Sequence, residues 1–277
     1  MHSAQSVVIT GAASGMGREL ALASVNRGFR ALICDVDGAG LDETVELCRG
    51  VDPDAEVETA RIDVTDVRAM LRYADACVAA HGAPFAVFNN AGVTAVTDVL
   101  SEPDDVGRRV VAVNFGGVLH GTKAFLPHLL AAGKGHIVNT SSAFGLVASP
   151  GQGSYTASKF AVRGFTEALQ RELADTDGEV RAHLVYPGAV RTAMARNAWY
   201  PSGRWRKRVT TIFDRIFPAT RPAVAAEKIL RGVCDGRDRI VIGADGKMID
   251  LAWRVAGGVY VRPTAWLLRN LSRRIGR

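Results

Sequence analysis

Tyr155 and Lys159 stand four residues apart in Ser154-Tyr155-Thr156-Ala157-Ser158-Lys159, a spacing that puts two side chains on one face of a helix. A phenol titrates near 10, too high for a base at neutral pH. An ammonium about 5 Å away, at an effective dielectric of about 20, favours the phenolate by about 3 kcal/mol, or roughly two pK units. That shift would bring the tyrosine into the range where it can pass a proton to or from a substrate oxygen. An isolated pair at this spacing is usually an inert feature of a helix surface, so its surroundings decide.

A second cluster suits an anion. The run Thr10-Gly11-Ala12-Ala13-Ser14-Gly15-Met16-Gly17 follows the apolar segment Val7-Val8-Ile9 and leads into a helical pattern. Glycines let a backbone turn sharply and approach a diphosphate, and a helix start offers unpaired N–H groups to it. The same glycines would serve a tight strand–helix turn, and the spacing is not G-x-G-x-x-G. Their place directly after the first strand favours phosphate binding. Twenty residues beyond Gly15 the second apolar run ends in Asp35. An acid there can accept hydrogen bonds from the adenosine ribose hydroxyls and repels a 2′-phosphate, which points to NAD. Ser14 and Val36 are not basic, but nearby Arg18 leaves NADP open, and Asp35 could instead cap the turn Asp35-Val36-Asp37-Gly38. Asp63, after the third run, is a candidate for the adenine edge.

Groups so far apart in sequence need a scaffold. Apolar, β-branched runs recur at Val7–Thr10, Ala31–Asp35, Val57–Asp63, Phe85–Asn89, His136–Asn139, Arg181–Tyr186 and Arg239–Ile242. Between them lie helix-length segments such as Leu41-Val45-Leu47 and Val67-Met70-Leu71. Near-continuous apolar strands alternating with helices mean a parallel sheet covered on both faces. The expected fold is α/β: a single doubly wound Rossmann domain over 1–277, with about seven parallel strands. Ser101-Glu102-Pro103-Asp104, a serine with an acid three residues on, is expected to cap a helix. Pro187 to Ala223 reads as the one large irregular insertion.

The remaining signatures agree with the pair. Ser141-Ser142 follow Ile137-Val138-Asn139, with Ser142 13 residues before Tyr155; Asn89-Asn90-Ala91-Gly92 ends the fourth strand; Asn114 lies in Val113-Asn114-Phe115-Gly116-Gly117; and Pro187-Gly188-Ala189-Val190-Arg191-Thr192 follows the sixth strand. In order and spacing, from about Val7 to Ile242, the chain resembles the short-chain dehydrogenase/reductase family. The resemblance implies an oxidoreductase that interconverts an alcohol and a carbonyl with a nicotinamide cofactor. Tyr155 would be the acid/base, Ser142 would orient the substrate oxygen, and Lys159 would lower the phenol pKa and bind the nicotinamide ribose. Asn114 would hold a water that relays protons from Lys159. The cofactor would lie along Gly11, Ser14, Gly15, Met16, Gly17, Asp35, Asp63, Val64, Asn90, Ala91, Gly92, Tyr155 and Lys159. It would reach Pro187, Gly188 and Val190, with Thr192 on the nicotinamide carboxamide. A sensor that binds dinucleotide without turnover is the alternative of a different class, and the complete proton-handling set argues against it.

The C-terminal third is different in character. From Arg191 onward there are 19 Lys/Arg against 6 Asp/Glu, whereas the first 190 residues carry 15 against 22. Val209, Ile212, Phe213, Ile216 and Phe217 form an apolar helical stripe. Since the family commonly covers its substrate here, a lid over about 193–222 is expected, with a hydrophobic small molecule beneath it. An amphipathic extension over about 249–277 sets Leu267, Leu268, Leu271 and Ile275 opposite Arg269, Arg273, Arg274 and Arg277. Such a tail suits an anionic membrane surface, and equally a neighbouring subunit or the lid. No nucleic-acid module is recognisable. Apolar residues such as Phe115, Leu119, Phe160 and Phe165 exceed one core stripe, which with the resemblance leads to a homodimer or homotetramer. Cys34, Cys48, Cys77 and Cys234 form no C-x-x-C pair, so neither metal nor disulfides are expected. The widely spaced cysteines fit a reducing cytoplasm, no run of 18 apolar residues suggests a spanning helix, and the tail allows peripheral membrane association.

Overall fold

A computed structural model describes residues 5–176, 178–203, 206–207 and 220–256. Seven strands form one parallel sheet: β1 (Ser6–Thr10), β2 (Arg30–Asp35), β3 (Val57–Arg61), β4 (Ala86–Asn89), β5 (Lys134–Thr140), β6 (Glu179–Pro187) and β7 (Arg239–Ile242). Their order is β3-β2-β1-β4-β5-β6-β7. The chain winds outward from β1 to β3, then returns to β4 on the other side of β1. The crevice where the direction reverses, at the carboxyl ends of β1 and β4, is where such sheets bind ligands.

Strand alternation sends neighbouring side chains to opposite faces. Val7 and Ile9 pack with Leu20, Leu41, Ile229 and Leu230, beneath helices α1 (Gly15–Val25), α2 (Gly38–Val51) and α8 (Pro222–Cys234). Val8 packs with Met70, Phe125, Leu129 and Leu169, beneath α3 (Val67–His81), α5 (Gly117–Ala132) and α6 (Gly153–Ala174). The remaining helices are α4 (Asp104–Val111), a single turn α7 (Met194–Asn197), and α9 (Ala244–Ala256) after β7.

Two local expectations are corrected, and one distortion is new. Helix α4 starts at Asp104 with Pro103 at its cap position and no side-chain cap. Ser101 belongs to the preceding turn, where its N–H is held by the Asp98 carboxylate at 3.0 Å. The edge strand β3 stops at Arg61, because Asp63 turns to accept the Thr65 N–H and hydroxyl. Between α4 and α5 a π turn, Ala112–Gly116, interrupts the helix at Asn114, a distortion with no signature in the sequence.

The irregular stretch after β6 is pinned where it begins and ends. Val190 pairs with Thr220 in an isolated parallel bridge. The stripe Val209–Phe217 and the tail 263–277 lie outside the described residues.

Candidate active site

The carboxyl end of β1 leads into a loop that side chains lock down from β4. The Thr10 hydroxyl accepts both the Asn90 and Ala91 N–H groups at 3.0 Å. The Asn90 amide donates back to the Thr10 carbonyl at 3.1 Å. Gly11 (φ +70°) and Gly15 (φ +56°) occupy left-handed conformations, which only glycine adopts without strain. Ser14 precedes α1 without capping it through its side chain, and no acid lies in the first turn. The first-turn amides of Gly15, Met16 and Gly17 have no side-chain acceptor among the described residues, the kind of donor set that can hold a diphosphate.

The end of β2 lies beside this loop. Asp35 accepts the Ala13 N–H at 3.1 Å through one oxygen and the Asp37 N–H at 3.2 Å through the other. It thus caps its own turn and borders the crevice at once. Arg18 is engaged elsewhere, donating to the Ala13 carbonyl, the Thr44 hydroxyl and Glu43. Asp63 is exposed, and the buried Val64 lends its carbonyl to His120 at 2.8 Å.

Beyond β4 the polar groups converge. Tyr155 lies in the first turn of α6, and its hydroxyl faces Ser142. Ser142 also accepts the Phe144 N–H at 3.1 Å. Its neighbour Ser141 turns away and donates to the Lys159 carbonyl at 2.8 Å. One turn along α6, the Lys159 ammonium lies 5.7 Å from the centre of the Tyr155 ring and donates to the Thr140 carbonyl at 2.9 Å. A β-carbon on Gly92 would stand 3.6 Å from that nitrogen and 3.2 Å from Asn114 Oδ1. The absence of a side chain there keeps the centre of the crevice open. Thr192 packs against Gly15, so the loop after β6 closes over the start of α1.

Two expectations change with the geometry. Burial pushes the Tyr155 phenol above its ordinary value, while the neighbouring Ser142 hydroxyl pulls it back in part. The nearby lysine does not bring it below its ordinary value, because burial of the phenol dominates, and burial pushes Lys159 itself down to about 8. Asn114, fully buried at the π turn, donates to the Val93 carbonyl and the Ser158 hydroxyl, both at 3.0 Å, and accepts the Val93 N–H at 2.8 Å. Protein groups take both of its amide hydrogens, which leaves one lone pair of Oδ1 for a water.

The side of the crevice around Tyr155 is apolar. Tyr155 packs with Val93, Ala95, Val106, Val110, Phe144 and Trp199. Trp199 is brought there by the segment after β6, which runs alongside the loop after β4: Val96 N–H donates to the Trp199 carbonyl at 3.0 Å, and Trp199 N–H to the Thr94 carbonyl at 3.1 Å. Gln152 braces the same loop through the Thr94 hydroxyl at 3.1 Å. Sequence reasoning missed Thr10, Thr140, Ser158 and Trp199. All four act through or on backbone groups, and a carbonyl carries no residue-type signal.

Comparison with known proteins gives the same direction. A family model described as short chain dehydrogenase matches residues 5–201. The chain belongs to the short-chain dehydrogenase/reductase family. It is therefore an oxidoreductase by family. A Mycobacterium tuberculosis protein named oxidoreductase SadH is 45% identical to this short-chain dehydrogenase over 93% of each chain. Retinol dehydrogenase 10 of Xenopus tropicalis is 31% identical over 83% of this chain and 72% of its own. Among solved structures, a short-chain dehydrogenase/reductase from Burkholderia phymatum in complex with NAD superposes with a TM-score of 0.78. It is 32% identical and covers 87% of this chain and 90% of its own. The matched region ends before α8, β7 and α9, so the family model leaves the C-terminal part of this short-chain dehydrogenase unaccounted for.

Proposed function

We propose that the protein is an NAD-dependent dehydrogenase that interconverts a hydrophobic secondary alcohol and its carbonyl compound, with Tyr155 as the acid/base. The observation that carries this reading is the convergence of Ser142, Tyr155 and Lys159, whose ammonium lies 5.7 Å from the tyrosine ring, at the edge of an apolar cluster containing Phe144 and Trp199. Retinol, in the name of one relative, is an apolar alcohol, and the NAD complex of another fits the donor set at α1.

Bound, the nicotinamide ring supplies or takes the hydride. The chain's residues do the rest. The Gly15, Met16 and Gly17 amides hold the diphosphate, Asp35 the adenosine ribose, and Lys159 the nicotinamide ribose, while Asp63 and Val64 border the adenine. Asn90, Ala91 and Gly92 line the β4 side, and Pro187, Gly188, Val190 and Thr192 flank the nicotinamide end. Ser142 orients the substrate oxygen. Tyr155 gives that oxygen a proton in reduction and takes the alcohol proton in oxidation, with Lys159 and Asn114 on the path to solvent.

A reductase using NADPH is the second reading, favoured by Arg61, whose Nε donates to the Val36 carbonyl at 3.1 Å beside Asp35. Turnover of a panel of hydrophobic alcohols with NAD and NADP decides between them. Reduced cofactor appearing faster with NAD supports the proposal. A clear preference for NADP shifts it to the second reading, and no turnover with either in either direction overturns it.

The same reading includes assembly and location. The exposed faces at Val111 and Phe160 suit a homodimer or homotetramer. The arginine-rich tail suits peripheral binding to anionic membrane. No described helix is long and apolar enough to cross one.

A further inference from the structure

The loop Pro187–Thr192 is braced from below by a residue outside the matched family region. Asp245 lies in the first turn of α9. Its Oδ2 accepts the Ala189 N–H at 2.5 Å. Its other oxygen is buried without a hydrogen-bond partner among the described residues. The carboxylate is enclosed by glycines. A β-carbon on Gly188 would stand 2.4 Å from Asp245 Oδ1, and one on Gly243 (φ +87°) also 2.4 Å from it. A β-carbon on Gly246 would meet the Gly188 nitrogen at 3.1 Å. Backbone therefore packs directly on backbone, with one carboxylate between.

This contact controls more than one peptide. The Ala189 carbonyl accepts the Thr220 N–H at 2.8 Å, and the Thr220 carbonyl accepts the Arg191 N–H at 3.0 Å. Three residues beyond Ala189, Thr192 closes over Gly15 at the start of α1. The Ala189 peptide thus connects the start and the return of the segment after β6, and the orientation of Thr192 follows from it. A buried carboxylate oxygen left unpaired is costly, and such cost is tolerated where the surrounding structure fixes a functional conformation.

We propose that Asp245 is a positioning residue for the nicotinamide end of the cofactor: its glycine-enclosed carboxylate fixes the Gly188–Ala189 peptide and, through it, Thr192. The inference rests on the NAD reading above and separates from it by experiment. NAD and ADP-ribose share everything but the nicotinamide ring. Isothermal titration of the full chain with each ligand isolates the nicotinamide contribution to binding.

For Asp245→Ala the expected result is a loss of about tenfold in NAD affinity with ADP-ribose affinity within about twofold of wild type. Asp245→Asn, which keeps an acceptor for the Ala189 N–H, should restore the ratio of the two affinities to within about threefold of wild type. An unchanged ratio in Asp245→Ala overturns the proposal. Equal weakening of both ligands also overturns it, since that is what a merely structural residue would give. Should Asp245→Ala not fold, the same ratio measured on Asp245→Glu decides, because the added methylene displaces the acceptor within the glycine enclosure. Wild type that binds neither ligand would sink the NAD reading instead.

Discussion

At the scale of single residues, the site is a contest between burial and charge. Burial raises the Tyr155 phenol and lowers the Lys159 ammonium to about 8, so the lysine is the member of the pair that gives up a proton in the weakly alkaline range. Alcohol oxidation needs a proton acceptor. Its kcat should therefore climb as pH rises through about 8, and carbonyl reduction should fall over the same range. Tyr155→Phe removes only the titrating oxygen and should lower kcat at least about 10²-fold while cofactor affinity stays nearly constant. Steady-state rates across pH 6–10 for both proteins check this. A variant that retains rates within a few-fold of wild type excludes Tyr155 from proton transfer.

At the scale of elements, two junctions set the function and the stability. The first is the start of α1. A β-carbon on Gly17 would stand far inside van der Waals contact with the Gly11 carbonyl oxygen, and 2.7 Å from Asn90 Nδ2. Both are held by the β1–β4 lock and cannot yield cheaply. Gly17→Ala should therefore cost about 1–3 kcal/mol of stability and weaken NAD binding with it, read from the urea midpoint and from titration. A variant as stable as wild type would show that the loop is plastic.

The second junction joins β5 and β6 far from the crevice. His183 Nδ1 meets the Arg237 carbonyl at 2.8 Å, so that nitrogen carries the hydrogen and Nε2 is bare. His136 Nδ1, 2.8 Å from that bare nitrogen, must then donate. Both rings are neutral, and burial holds both below the ordinary value, His136 at about 4. The unfolded chain binds protons more readily than the folded one. The resulting stability is complete above about pH 6.5 and is lost as pH falls from there toward 4, on the order of 2 kcal/mol. Urea midpoints at pH 7.5 and 5 should show that decline, and His136→Gln should flatten it.

At the scale of the whole molecule, charge is divided along the chain, with the arginines concentrated after Arg191. Each Lys/Arg close to an anionic bilayer contributes about 1 kcal/mol, and salt screens it. Salt-sensitive sedimentation with anionic vesicles is expected for the full chain and should vanish when residues 263–277 are deleted. Loss of the oligomer or of turnover on that deletion would assign the tail to a subunit contact or to the substrate cover instead.

The sequence by itself determined the α/β order, all seven strands to within about two residues at their ends, and the place of Tyr155, Lys159, Ser142 and the glycine loop. Hydrophobic runs bounded by turn residues, and pairs one helical turn apart, are local signals, so they survive without a structure. Spacing also favoured Ser142 over Ser141, and the structure turns the Ser141 hydroxyl to the Lys159 carbonyl. Only the tertiary structure decided how charge and burial balance. The local estimate put an ammonium beside a phenol and lowered its pKa, whereas enclosure by elements distant in sequence raised the phenol and lowered the lysine. The same holds for the Asn114 amide, occupied by Val93 and Ser158, and for Asp245, which reaches Ala189 across 56 residues. Desolvation and backbone hydrogen bonds belong to what surrounds a residue in space, and those neighbours come from strands and helices that the local pattern places in order but does not bring into contact.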